Sequence, residues 1–351
     1  MAMQTETVNS ASFSEDEQTL IVTDLLALRK NQISDFLSSV GLPKSGTKEV
    51  LRERIEKALS GGSVTIPQIV EYLDSVVPWG KQHVYLFKGP QASIADWRKE
   101  EWVSKHLKQH RLGKLLNASL PLVLPDKMKI SSIVHDGKRL RVTAVKRRDW
   151  LERNTNYDDT RTTDAGEEVE LRAYVHRVTR SLVAFEWDLV SNHAFLQISQ
   201  LPRGCEYDDV VDEFFELIQK WLDRSMFTVV ELRTPIKKLH ELEEKGNGEI
   251  RSHGINYRTL QGRRFEGKSA SPTDPLLGEK HIDSALSAIR KNGVGHLGNF
   301  YWTASTNGHA HILTSDVHVI VVGFRNRVNF PTPNSEETVR HVLSRIRSHC
   351  A

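Results

Sequence analysis

Between Leu28 and Ser60 the chain has room for little except two short helices joined by a tight turn. Leu28, Ile33, Phe36, Leu37 and Val40 recur at three- and four-residue intervals, which puts them on one helical face. Gly41-Leu42 predicts the end of that helix, because glycine enters the left-handed cap conformation at little cost and the leucine after it can fold back onto the core. Pro43-Lys44-Ser45-Gly46 then makes the turn, and Thr47 is the expected N-cap of a second helix. In that helix Val50, Leu51 and Ile55 form the expected buried stripe, while Lys48, Arg52 and Arg54 face solvent.

The Gly41-Leu42 pair, the Gly46-Thr47-Lys48 triplet, Leu51 and Arg54 stand at intervals that resemble the SAP family, over about residues 24–60. The resemblance implies a helix–turn–helix hairpin that meets the DNA backbone at the start of its second helix. The physics of a helix N-terminus fits that role, since free amides and the positive end of the helix dipole favour a phosphate. Ser45, Gly46, Thr47 and Lys48 inherit the contact, with Lys30, Lys44 and Arg52 as flanking charge; for Arg54 a structural role in the small core serves equally well. The same residues also suit a hairpin used for protein docking or as a cap on the rest of the chain. From Asp24 to Lys57 seven basic residues stand against five acidic ones, so the hairpin alone is expected to bind weakly and with little sequence preference.

With 351 residues the chain exceeds the size at which single cores stop growing, so a small module plus a larger α+β part is expected. The division read from the sequence is a flexible tail over 1–20, the hairpin over 21–60, and a linker over 61–65 marked by Ser60-Gly61-Gly62-Ser63. A basic α+β lobe over 66–224 and a second α+β lobe over 225–351 follow. The longest apolar run, Val317 to Phe324, falls far short of a membrane span, and the polar N-terminus has no signal-peptide pattern. An intracellular setting is expected, either nucleus and chromatin or bacterial cytoplasm and nucleoid. Cys205 and Cys350 offer neither a disulfide framework nor a zinc quartet.

Helical spacing recurs over Ile66–Val77, over Ser93–Leu116 as one long amphipathic helix, and over Asp208–Leu222, where Val210, Val211, Phe214, Phe215, Ile218, Trp221 and Leu222 make one apolar stripe. Alternating runs at Gln82–Lys88, Lys138–Lys146, Glu170–Thr179, Leu182–Trp187 and Ala194–Ile198 predict an antiparallel meander covered by that last helix. After Arg224 the pattern restarts: strands at Phe227–Leu232, up to Arg264, His296–Trp302 and His311–Phe324, and helices at Ile236–Lys245, His281–Lys291 and Ser335–Ser348. The fold class is α+β, two-lobed, with antiparallel sheets covered by helices. The loop 267–278 is long and rich in Pro and Ser, which marks it as mobile or as a partner contact.

Charge is uneven along the chain. Between Arg98 and Arg148, 14 Lys and Arg face Glu100, Glu101, Asp126 and Asp136, a net of +10. In the strand from Arg139 the period of two sets Arg139, Arg141 and Thr143 on one face, a surface able to track a phosphate backbone. Lys105, Lys108, Arg111 and Lys114 on the preceding helix, then Lys146, Arg147 and Arg148, extend it; the alternative is an ordinary solvated surface. Acidic stretches at 158–170 and 206–216 should repel nucleic acid, so the acidic helix 208–222 and the loop 267–278 are the expected protein-docking elements. Across roughly 66–222 the order of elements, with Ala173-Tyr174-Val175 and His193-Ala194-Phe195, is similar to the CENP-N family of inner-kinetochore proteins. That similarity implies a basic, DNA-facing α+β domain, although the N-terminal module of that family is not a SAP hairpin.

Catalytic motifs are scarce. There is no Walker-type loop and no Gly-x-Ser-x-Gly elbow, and Pro125-Asp126 lacks the following acidic-x-Lys of a PD-(D/E)xK nuclease. His309 and His311, with His296 and His318, share strand spacing, but no carboxylate or cysteine stands at a ligand's distance. No cofactor and no metal are expected. The leading reading is a non-enzymatic protein whose hairpin contacts duplex DNA, with a basic α+β domain adding DNA contact and docking a partner. An enzyme of DNA metabolism, such as a nuclease or a subunit of a defence or repair complex, is the alternative, and an RNA-binding protein is the third reading.

Overall fold

A computed structural model describes residues 13–304 and 313–350. The chain divides into two compact units, one made of Met1–Val76, Pro121–Asp126 and Arg147–Arg180, the other of Val77–Leu120, Lys127–Lys146 and Ser181–Ala351. The helices of the first unit are α1 (Glu15–Ala27), α2 (Lys30–Ser39), α3 (Lys48–Ser60) and α4 (Ile66–Val76). Along the chain follow β1 (Gln82–Lys88), α5 (Ile94–Trp97), α6 (Glu100–Gln109), β2 (Lys129–His135), β3 (Arg139–Arg153), β4 (Asp159–Thr162), β5 (Glu168–Leu171), β6 (Tyr174–Asp188) and β7 (His193–Ser199). The remainder is α7 (Tyr207–Ile218), β8 (Thr228–Val229), α8 (Arg233–Glu244), β9 (Ile250–Thr259), β10 (Arg264–Lys268), α9 (Lys280–Asn292), β11 (Gly293–Trp302), β12 (Val317–Val322), β13 (Arg327–Phe330) and α10 (Glu336–Ser348).

In the first unit the expected tail over 1–20 is corrected from Glu15 onward, because α1 begins there. Ser14 Oγ accepts from the Glu17 amide at 3.2 Å and the Glu17 carboxylate accepts from the Ser14 amide at 2.9 Å, a reciprocal cap that satisfies two otherwise orphaned donors. The Ser-x-x-Glu spacing was the available signal for this helix. Helix α1 packs on α3 and α4, burying Ile21, Val22, Leu25 and Leu26. The expected linker over 61–65 is also corrected: Gly62 takes φ +71°, the Ser63 amide donates to the Ala58 carbonyl at 3.0 Å, and Val64 is buried, so the segment is a tight turn inside a four-helix assembly. Tyr72 of α4 closes that assembly, its hydroxyl donating to the Gln32 carbonyl at 2.6 Å and its ring lying 5.2 Å from Phe36. Arg180 pairs with Asp74 at 2.6 Å and donates to the Leu122 carbonyl at 2.9 Å. Near it, burial pushes the Asp24 carboxyl up to about 6, against the pull of the Arg180 charge.

The second unit confirms the α+β class. Eleven described strands form one sheet in the order β10-β9-β11-β12-β13-β1-β7-β6-β3-β2, with β8 on the end of β1, so the strands of both stretches read from the sequence join a single sheet. Strand β1 runs antiparallel between β13 and β7. Its side chains alternate between two cores: Tyr85 and Phe87 enter one with α7, and Val84 and Leu86 enter the other with α8 and α10. Helix α7 covers its core through Val210, Val211, Phe214, Phe215 and Ile218, the stripe expected from spacing. The single long helix expected over Ser93–Leu116 is corrected to the short α5 and α6, after which Arg111 takes φ +61° and stops the helix. The loop after β10 is held rather than loose. The Ser269 amide donates to the His253 carbonyl at 2.9 Å, the Leu276 amide donates to the Ser252 carbonyl at 3.1 Å, and Leu276 and Leu277 pack on the core.

Candidate nucleic-acid interface

Helix α2 ends as its sequence dictates. Gly41 takes φ +73°, its amide donates to the Ser38 carbonyl at 3.2 Å, and the Leu42 amide donates to the Leu37 carbonyl at 2.7 Å, the paired bonds of a Schellman cap. Ile33, Phe36 and Leu37 are buried, as are Leu51, Ile55 and Ala58 of α3. Val50 is corrected: it is 42% exposed, and it packs beside the turn instead of the core. Leu28 is corrected as well, since it caps α1 and does not enter α2.

Gly46 stands at φ +142°, and a Cβ there would lie 2.9 Å from Val50 Cγ1, so both backbone and neighbour demand glycine. Thr47 caps α3, its Oγ1 accepting from the Val50 amide at 3.4 Å. Arg54 reaches back across the turn, donating to the Pro43 carbonyl and, at 3.1 Å, to the Ser45 carbonyl. A trans peptide holds its N–H opposite its C=O, so this clamp turns the Lys44 and Gly46 amides away from Arg54. Lys44, Ser45, Gly46, Thr47 and Lys48 are all exposed, and neither lysine has an ion-pair partner among the described residues. Lys30 is exposed as well. Arg52 is partly used, donating to Thr23 Oγ1 at 3.2 Å and lying 3.7 Å from Glu56.

One carboxylate already exploits the helix start. Its own backbone amide and the Thr47 hydroxyl, with Lys48 and Arg52 nearby, hold Glu49 below the usual glutamate range. An anion therefore finds a favourable field there, and sequence reasoning did not single out Glu49.

The basic residues of the second unit fare unequally. The expected arginine face of β3 is corrected, because Arg141 is 15% exposed and bound to Glu186 at 2.9 Å, with its guanidinium 5.2 Å above the Trp79 ring. Arg340 shares Glu186 at 2.5 Å, so this charge is consumed inside the domain. Arg139 lies 3.9 Å from Asp136 and 3.8 Å from Glu336, and Lys146 pairs with Glu213 at 2.6 Å. In the first unit Arg147 pairs with Asp149 at 2.9 Å and Arg148 is half-buried. Lys105, Lys108 and Arg111 remain exposed, without ion pairs among the described residues. On the acidic side, Asp208 pairs with Arg325, Asp212 with Arg224 and Glu213 with Lys146, which neutralises much of the face expected to dock a partner.

Among the described residues no group of three or more His, Cys, Asp or Glu could hold a metal; His309 and His311 lie outside the described residues. No described helix is long and apolar enough to cross a membrane. The geometry is that of a small helical hairpin presenting amides and lysines at a helix start, the class of module that meets an anionic backbone. A family model described as the SAP domain, a nucleic-acid-binding module, matches residues 24–60. No curated protein matches the chain. The similarity of 66–222 to the CENP-N family finds no support.

Proposed function

We propose that the chain binds duplex DNA through the turn and the first residues of α3, mainly by gripping the phosphate backbone. The supporting observation is the Arg54 clamp, which holds two carbonyls inward and leaves the Lys44 and Gly46 amides, with Lys44 and Lys48, facing outward. Backbone contact of this kind carries no base code, so affinity is modest, salt-dependent and tolerant of sequence. Lys105, Lys108 and Arg111 on and just after α6 are the basic surface of the second unit available to add contact.

Fluorescence anisotropy on a labelled 20-base-pair duplex tests the reading. Lys44→Glu with Lys48→Glu weakens binding similarly across sequences and lowers the magnitude of the salt slope by roughly 2, with an unchanged circular dichroism spectrum. Unchanged affinity in that folded variant would remove the hairpin from DNA contact.

A further inference from the structure

A cleft of about 480 Å³ opens on the second unit, lined by Arg233, Arg258, Val294, His296 and Phe324. Its chemistry follows from the pairing of three strands. Arg258 on β9 stands directly opposite Val294 on β11 and directly opposite Arg264 on β10. Like charges at directly opposed positions repel, and such a pair costs stability unless an anion answers it. Glu266 answers Arg264 at 2.6 Å, and Glu231 lies 3.8 Å from Arg233. Arg258 is exposed and has no hydrogen-bond or ion-pair partner for its guanidinium among the described residues.

Two further features aim at this point. The β9–β11 register shifts between Gly295 and Leu297, so His296 is the extra residue of a bulge and lies on the cleft side with Val294, the alternation changing phase after it. The His296 imidazole stacks on Phe324, with ring centroids 4.2 Å apart and planes 9° from parallel, and Phe324 is itself 43% exposed. Glycines make the approach possible. A Cβ at Gly295 would lie 2.8 Å from the Arg233 carbonyl oxygen, and one at Gly323 would lie 2.5 Å from the Gly295 carbonyl oxygen, so any larger residue would push the start of α8 and Arg233 off the cleft. Burial, followed by the charges of Arg258, Arg264 and Arg233, holds His296 below the usual histidine range, which keeps the stacked ring neutral at physiological pH.

We propose that this cleft binds an unpaired nucleotide, Arg258 and Arg233 taking its phosphate and the His296–Phe324 pair its base. A guanidinium cluster recognises phosphate oxygens, and the half-buried His296 ring stacked on Phe324, whose ring also has the Arg325 guanidinium 5.6 Å from its centroid, supplies the cationic π-surface that unpaired bases use. The cleft volume lies within the range of small-ligand sites. The nucleotide comes either free or from a single strand, and neither source depends on the hairpin.

The test uses the full chain and a fluorescein-labelled 12-residue oligothymidylate, with AMP and inorganic polyphosphate as competitors. Arg258→Gln and Phe324→Ala each weaken oligonucleotide binding by about tenfold. Lys44→Glu with Lys48→Glu leaves this binding within about twofold of the parent while weakening the duplex complex. Displacement by AMP assigns a free nucleotide; oligonucleotide binding that AMP does not displace, yet both cleft variants weaken, assigns a strand. Wild-type oligonucleotide affinity in the folded Arg258→Gln and Phe324→Ala variants overturns the site. Polyphosphate that displaces as well as unlabelled oligonucleotide, together with an inert Phe324→Ala, overturns the base contact. Loss of oligonucleotide binding in the hairpin variant alone overturns the cleft and leaves the hairpin reading standing.

Discussion

The hairpin turn and strand β3 carry similar densities of positive charge, yet the fold gives the two sets of charges different neighbours. At the turn, Lys44 and Lys48 are exposed and without ion pairs among the described residues, and Arg54 is engaged with backbone carbonyls, not with a carboxylate. On β3, Arg141 is sealed against Glu186 and Trp79, and Arg139 and Lys146 each face a carboxylate. A local count of lysines and arginines reports neither condition. What decides availability is which acidic groups the tertiary fold brings alongside, and those come from β6, α7 and α10, far away in sequence.

The contrast breaks most visibly at Glu186. Its carboxylate is 1% exposed and serves both Arg141 and Arg340, so Glu186→Ala leaves two guanidinium groups without their shared counter-charge. A loss of about 3–5 kcal/mol is expected in urea unfolding, whereas duplex affinity of the folded fraction stays as it was. If Glu186→Ala left stability intact and tightened duplex binding, β3 would return as a contact face.

A half-buried carboxyl in the first unit gives a second comparison. The Asp24 carboxyl, raised to about 6 in the folded chain from an ordinary value of 3.8, binds its proton more tightly when folded. Protonated in both states below about 4, it costs nothing there; stability falls as pH rises through the interval between those values, and the full penalty is present above about 6. Asp24→Asn removes that penalty: stability rises by roughly 2–3 kcal/mol at pH 7.5 and changes little at pH 4, read from urea midpoints at each pH.

At the turn the expected effects are smaller and fall on binding as well. Arg54→Ala frees the Pro43 and Ser45 carbonyls, costing about 1–2 kcal/mol in stability and weakening duplex binding although Arg54 itself need not touch DNA. Arg54→Lys restores the charge without the forked geometry and rescues binding only in part, a result that mere loss of positive charge would not produce. The smallest change is a gain. Glu49→Gln removes the carboxylate from the start of α3, and duplex affinity rises about two- to fivefold at low salt, the advantage shrinking as salt is added.

Much of this was legible without coordinates. The turn between α2 and α3, the caps at Gly41 and Thr47, the stripe on α7 and the strand Gln82–Lys88 all follow from local rules, since each depends on residues within a few positions of one another. Helix α1 carried its Ser14-x-x-Glu17 signature but sat beside a polar leader that masked it. The break between α5 and α6 escaped notice because apolar spacing continues across it. The cleft at Arg258 left no local trace, as its lining is drawn from α8, β9, β11 and the turn after β12.

By itself the sequence determined many of the secondary elements, the α+β class and the hairpin with its anion-favouring helix start, because propensity, capping and apolar period act over distances of a few residues. Only the tertiary structure decided that the strands of both stretches share one sheet, that Arg141 is neutralised while Lys44 and Lys48 are not, and that His296 and Phe324 stack beside three arginines. Those outcomes depend on side chains meeting across strands and helices tens to hundreds of residues apart, where Coulomb pairing and burial, rather than local order, set what each charge can do.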